Sequence, residues 1–153
     1  MANSKITIKH DLGAVSAQLL NAYRGLHGNS EKQRLMRNVA TLLENSTRRR
    51  FETKTDPDGK AWADWKPSTK AQKKYQKRTR ERLLNDERDL LRSITRHASA
   101  TMAKVGTSRQ YAPYLQLGTR KMAKRAFLGI SRQDKQDILD ELDDWLMAIF
   151  AKR

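Results

Sequence analysis

Ile138, Leu142, Trp145, Leu146 and Ile149 recur at helical spacing behind Ser131, a good N-cap, and this stripe constrains the fold more than any other feature. An amphipathic helix of this kind holds its shape by burying one face against another element. Two earlier stripes are available. Leu12, Val15, Leu19, Tyr23 and Leu26 follow the cap residue Asp11 and end at Gly25 and Gly28. Leu35, Val39, Leu42, Leu43 and Ser46 follow Ser30-Glu31-Lys32-Gln33, a capping-box pattern, and run into Arg48-Arg49-Arg50-Phe51. Together they read as an αα-hairpin.

The rest of the chain is less helical. Ser4–His10 alternates around Ile6 and Ile8 in the manner of a short strand. Thr55-Asp56-Pro57-Asp58-Gly59 predicts a turn, because proline presets φ and glycine accepts a positive one. Trp62 and Trp65 then anchor the loop, since each buries much apolar area. Leu83, Leu84, Leu90, Leu91 and Ile94 restore a helical stripe, and Thr95 to Ser108 reads as a β-hairpin. Tyr111 to Leu117 predicts a short helical piece stopped by Gly118, and Ala126–Ile130 a short apolar strand. The expected class is α+β: an N-terminal helical hairpin, a small antiparallel β-sheet and a C-terminal amphipathic helix. With 153 residues and no repeat or low-complexity linker, residues 1–153 predict a single domain.

Charge supplies the next constraint. The chain holds 32 Lys+Arg against 17 Asp+Glu, a formal +15 that is unevenly spread. Residues 66–82 carry eight cations, among them Lys70, Lys73, Lys74, Lys77 and Arg78, against the single anion Glu81. That stretch has almost no apolar face, so it is expected to project from the domain or to order on a partner. Residues 104–133 carry seven cations, including Arg120, Lys121, Lys124 and Arg125, and no carboxylate. The sign then reverses at Asp134, Asp137, Asp140, Glu141, Asp143 and Asp144. A basic body with an acidic last helix can meet phosphate, or copies of itself head to tail.

Several chemistries are excluded. No apolar run approaches the ~20 residues that cross a bilayer, so no membrane partner is expected. The opening MANSKITIKHDLG has neither the basic n-region nor the apolar h-region of a secretory signal. With no cysteine, disulfides, thiolate metal sites and cysteine nucleophiles are all absent. His10, His27 and His97 have no i, i+4 relation that would hold zinc. Asp56-x-Asp58-Gly59 faintly resembles a calcium loop, but registering it on Gly59 puts Lys54 and Trp65 at the first and twelfth ligand positions. Asp137, Asp140, Glu141 and Asp144 share one helix face, which reads as the solvated side opposite Ile138–Ile149. No P-loop, G-x-S-x-G or G-x-G-x-x-G occurs. Neither an enzyme nor a cofactor is expected. Helix-turn-helix, RNP-like and zinc-finger signatures are also missing, so base-specific reading is not expected, while non-specific contact with DNA stays open.

A series of landmarks remains: Arg50-Phe51, then Asp56-Pro57-Asp58-Gly59-x-x-Trp62, then Leu90-x-x-Ser93-Ile94. Val105-Gly106-Thr107, Tyr111-Ala112 through Gln116-Leu117-Gly118, and Arg125-Ala126-Phe127-Leu128-Gly129-Ile130-Ser131 follow in order. The series resembles the virion morphogenesis, or tail completion, family of Mu-like contractile-tailed phages, over about residues 11–150. Arg88, Leu115 and Trp65 stand where that family commonly has Gly, His and a smaller apolar residue. Physics gives Phe51, Asp58, Gly59, Trp62, Gly106, Tyr111, Gly118, Phe127 and Leu128 structural roles first, with Gly106 and Gly118 expected in conformations that a Cβ resists.

The resemblance implies a non-enzymatic virion protein that completes the head-proximal end of the tail and enables head–tail joining. Its implied partners are itself, in a ring that is commonly hexameric, and the tail terminator, tail tube or sheath and head-completion protein. In such a ring the acidic set Asp137, Asp140, Glu141 and Asp144 would face a neighbour's basic 104–133 segment. The alternative is a basic protein binding nucleic acid without sequence preference.

Overall fold

The computed structural model describes residues 28–71 and 89–151. The predicted strand Ser4–His10, the predicted helix behind Asp11, Leu83 and Leu84 lie outside the described residues, as do Lys73, Lys74, Lys77 and Arg78.

The backbone of the fold is α1, Asn29–Thr53, 25 residues long. It starts one residue before the predicted cap: Gly28 is the N-cap in extended conformation, and no side chain caps the helix. Ser30 is therefore inside the first turn, and the expected capping box is not formed. The buried face begins as the periodicity predicts, with Leu35 and Val39, but continues through Ala40, Glu44, Thr47, Arg50 and Phe51. Leu42, Leu43 and Ser46 are only half-buried. Polar residues can occupy the buried stripe because each has partners; Thr47 Oγ1, for example, donates to Leu43 O at 2.8 Å.

Lys54 ends α1 in the left-handed conformation, φ 58° and ψ 40°, and its N–H returns to Arg50 O. A tight turn follows, bounded by the Thr55–Ala61 bridge. Its side-chain work belongs to Asp56, not to the predicted Asp58: Asp56 Oδ1 accepts from the N–H groups of Asp58 (3.0 Å) and Lys60 (2.8 Å). Gly59 has φ 82° with open space around it, so its conformation alone calls for glycine. A one-turn helix α2, Pro67–Lys70, closes this part of the chain.

After α3, Asp89–Arg92, strands β1, Ile94–Ala98, and β2, Ala103–Thr107, form the predicted antiparallel hairpin, in register from Ile94 opposite Thr107 to Ala98 opposite Ala103. Ile94 is thus the first residue of a strand rather than the end of a helical stripe. Gly106 sits in β2 opposite Thr95, and its φ is not positive. The role expected for Gly106 is corrected: ladder pairing, not a glycine-only conformation, holds it.

Helix α4, Ala112–Leu117, ends at Gly118 as expected. Gly118 has φ 76°, and a Cβ there would lie 2.8 Å from Lys124 N, so both conformation and space demand glycine. The last helix, α5, is Arg132–Phe150, with Ser131 and Asp134 forming a reciprocal capping box.

Two apolar clusters share α1. The first joins Phe51 to Trp62, Leu90, Ile94, Ala112, Phe127 and Leu128. The second joins Leu35 and Val39 to Ile138, Trp145 and Ile149 of α5. Contacts Arg50–Asp134 and Asn38–Glu141 set α5 antiparallel to α1. The observed class is α+β, with a two-stranded antiparallel sheet between an N-terminal and a C-terminal helix.

Candidate functional site

Most of the landmark residues converge on the segment 125–129. The sequence predicts a strand over Ala126–Ile130, yet among the described residues no strand pairs with it; the segment is irregular backbone, buried at 125–128, with Phe127 and Leu128 inside the first cluster. Buried N–H and C=O groups without partners are costly, so something must replace the missing ladder. Side chains do. The Gln116 amide takes the part of a neighbouring strand: its Oε1 accepts from the N–H groups of Phe127 and Leu128, both at 3.0 Å, and its Nε2 donates to Leu128 O at 2.7 Å. Trp62 Nε1 donates to Ala126 O at 2.8 Å, and Arg50 Nη1 donates to Phe127 O and Gly129 O at 3.0 and 2.9 Å. Gly129 completes the fit, because a Cβ there would lie 2.6 Å from Pro57 Cγ.

The apolar side of the same segment is aromatic. Phe51 meets Trp62 edge-on, with centroids 5.5 Å apart and planes at 80°, and meets Phe127 at 5.5 Å. Phe51, Trp62, Phe127 and Leu128 are all buried. Tyr111, by contrast, is exposed, and it is the following Ala112 that fills the core.

Two ion networks lie on α1 beside this hub, the first buried and the second centred on a buried carboxylate with its cations partly exposed. Arg50 Nη2 donates to Asp134 Oδ2 at 2.6 Å and to Ser46 Oγ at 3.1 Å, with both charged side chains nearly inaccessible. Burial alone would raise the Asp134 carboxyl, but hydrogen bonds from Ser46 and Ser131 and the Arg50 charge outweigh it and hold it below the usual range. Burial lowers the Arg50 guanidinium, and Asp134 restores only part of the loss. Glu44 is the second centre, accepting from Arg48 at 2.9 Å and from Arg96. Its carboxyl is likewise lowered, because those hydrogen bonds overcome a burial effect of opposite sign.

These networks revise the surface charge map. Asp134 belongs to the interior. So does Arg125, expected on a basic surface: Nε donates to Ala63 O at 2.8 Å, Nη2 to Asp64 O at 3.0 Å, and the guanidinium lies over the Trp65 ring. Its burial lowers its basicity. Lys70, Arg120, Lys121 and Lys124 are exposed as expected, Lys70 in an ion pair with Asp64. On α5 the predicted acidic set divides. Asp137 and Glu141 are half-buried on its flank, with Glu141 accepting from Asn38 Nδ2 at 2.6 Å. Asp140 and Asp144 are exposed, and the third outward carboxylate is Asp143.

Sequence reasoning missed Gln116 and Glu44, and gave no buried ion pair to Arg50. The signal that could have found two of them is Glu44, Thr47, Arg50, a polar residue at every third position on the flank of an apolar helix face. Among the described residues, no three His, Cys, Asp or Glu side chains come together to hold a metal ion. No helix among the described residues is long and apolar enough to cross a membrane.

The model of the phage virion morphogenesis family matches residues 12–147. A curated relative, the putative capsid assembly protein G of Escherichia phage Mu, is 32% identical over 113 residues, which cover 68% of this chain and 72% of that one. No solved structure matches.

Proposed function

The chain belongs to the phage virion morphogenesis family and serves phage assembly, and from that premise we propose that it completes the head-proximal end of the tail so that a filled head can join. The observation carrying this reading is the family match across residues 12–147, nearly the whole chain. A relative named for capsid assembly favours a role where tail meets head over one at the distal tail end. The internal architecture supports a structural role: Arg50, Glu44, Gln116 and Asp134, the polar groups an active site would draw on, are all engaged in holding backbone or one another. The protein acts without a cofactor and without catalysis, as a ring in the virion, touching the tail terminator, the tail tube or sheath and the head-completion protein. The basic run 66–82 would meet a virion protein or passing DNA.

Electron microscopy of a lysate from a phage lacking this gene, with the gene restored in trans as control, tests the reading. Filled heads beside unattached tails are expected. Abnormal tail ends or lengths would move the role to tail termination, and normal joined particles would refute an assembly role at the joint. A second reading, binding of nucleic acid without sequence preference, draws on the carboxylate-free run 104–133. Phosphate-driven binding would show a steep salt slope, and no stoichiometric ring would form.

A further inference from the structure

Two exposed apolar features stand out against the rest of the surface. On α4 and its cap, Tyr111, Tyr114 and Leu117 recur every third residue and point away from the core, Tyr114 being 59% and Leu117 72% exposed. Immediately beyond them the tight turn Thr119–Met122 presents Arg120 and Lys121, and Lys124 follows two residues later; all three are exposed, in a run with no carboxylate. On α5, Met147 is 70% exposed. By helical geometry it lies half a turn from Ile138, with Asp140, Asp143 and Asp144 one and two turns before it on the same side. No cation lies between Gln136 and Met147. One feature is an apolar knob bordered by cations; the other is an apolar spot bordered by anions.

We propose that these two surfaces dock onto each other between copies of this chain, the Tyr114–Leu117 knob of one protomer seating on the Met147 face of the next. The proposal rests on the assembly role and gives that role its self-contact. Complementarity of sign selects a second copy as the occupant, because the knob needs an acidic apolar surface and α5 carries one. Aromatic residues and methionine are the types enriched at interface centres, with charged residues towards the rim, and both surfaces have that layout. The two surfaces also differ in place. Helix α4 packs through Ala112 and Leu115 into the cluster of Phe51, while Met147 sits between Trp145 and Ile149, which pack with Leu35 and Val39; Phe51 and Leu35 are separated by about 24 Å of helix at 1.5 Å per residue. Unlike patches at opposite ends make a heterologous contact, which closes into a ring or continues as a filament. Asp137 and Glu141 take no part, since both are half-buried and engaged, Glu141 accepting from Asn38 of α1 and Asp137 from Gln133.

Reciprocal charge reversal tests the contact by sedimentation velocity of the full chain at low salt. Asp140→Lys/Asp143→Lys/Asp144→Lys and, separately, Arg120→Glu/Lys121→Glu/Lys124→Glu should each weaken self-association by about tenfold or more. Combining both sets in one chain restores opposite signs across the contact and should return association to within about threefold of the parent. Leu117→Ser should weaken it at low and high salt alike, since that contact is apolar. Circular dichroism confirms that each variant is folded; all the substituted side chains are exposed. A parent chain that stays monomeric, a reversal without effect, or a combined variant as weak as the single reversals would overturn the proposal. So would loop reversal that abolishes retention of a short DNA duplex while self-association is unchanged. Complementation of the gene-deleted phage separates the two levels: a monomeric chain that still restores head–tail joining removes this contact and leaves the proposed function standing.

Discussion

Replacing Asp134 by asparagine leaves the Arg50 guanidinium charged, buried and without its counter-ion. The asparagine keeps the shape of the side chain, so the change removes the charge and little volume. Removing one partner of a buried pair typically costs about 3–5 kcal/mol, because the desolvated charge remains. Arg50→Met removes the other partner. It leaves the Asp134 carboxylate buried, although the N–H of Ser131 at 2.7 Å still supports it. It also strips the donor from Phe127 O and Gly129 O, and a lost hydrogen bond to a charged group costs about 1.5–3 kcal/mol. The Arg50→Met loss is therefore about 4–6 kcal/mol, a large part of the ~5–15 kcal/mol that a domain has in total. Summed independently, the two changes come to about 7–11 kcal/mol. The double variant should lose about 2–4 kcal/mol less than that sum, since neither charge is then stranded. Urea unfolding of the parent, both single variants and the double variant gives the coupling directly. Additivity to within about 0.5 kcal/mol would show that the two groups do not depend on each other, and would refute the pairing as the brace of the hub.

Gln116→Leu deprives Phe127 N, Leu128 N and Leu128 O of their partners at once, so a loss of about 3 kcal/mol or more is expected. Hydrogen exchange should show it first at the amides of Phe127 and Leu128. Gly59→Ala and Gly118→Ala separate conformation from space. The first should cost about 1–2 kcal/mol for its positive φ, and the second about 2–4 kcal/mol because Lys124 also blocks the new Cβ, as compared by thermal or urea midpoints. Acid should destabilise the domain through Asp134 and Glu44, both lowered in the fold. As pH falls past the ordinary carboxylate values of about 3.9 and 4.3, the unfolded chain takes up protons first. The stability these groups contribute is thus complete above about pH 5 and is lost below about pH 4 as pH falls towards their folded values. A urea midpoint unchanged from about pH 7 to about pH 3 would contradict this, and Asp134→Asn should flatten the fall.

Local rules account for what was legible in the sequence. Leu35 and Val39, the Ile138–Trp145–Ile149 stripe, the Ser131 cap, the β-hairpin and the stop at Gly118 each depend on residues within a turn or two of one another. Periodicity and capping chemistry suffice to find them. The landmark aromatics Phe51, Trp62 and Phe127 were legible as core residues for a similar reason, since their size leaves burial as the favourable outcome. The chain by itself thus determined the α+β class, the apolar face of the last helix and the uneven charge. It did not determine which charges face water. Asp134 and Arg125 carry the same formal charge as Asp140 and Arg120, but only packing of segments 61 to 84 residues apart turns the first two inward, where carbonyls and counter-ions replace water. Nor did local pattern show that 125–129 is paired by side chains instead of a strand, since Gln116, Trp62 and Arg50 reach it from three separate elements of the fold. Whether a polar group serves the interior or the surface depends on which distant group desolvates and satisfies it, and that is decided only when the tertiary structure closes.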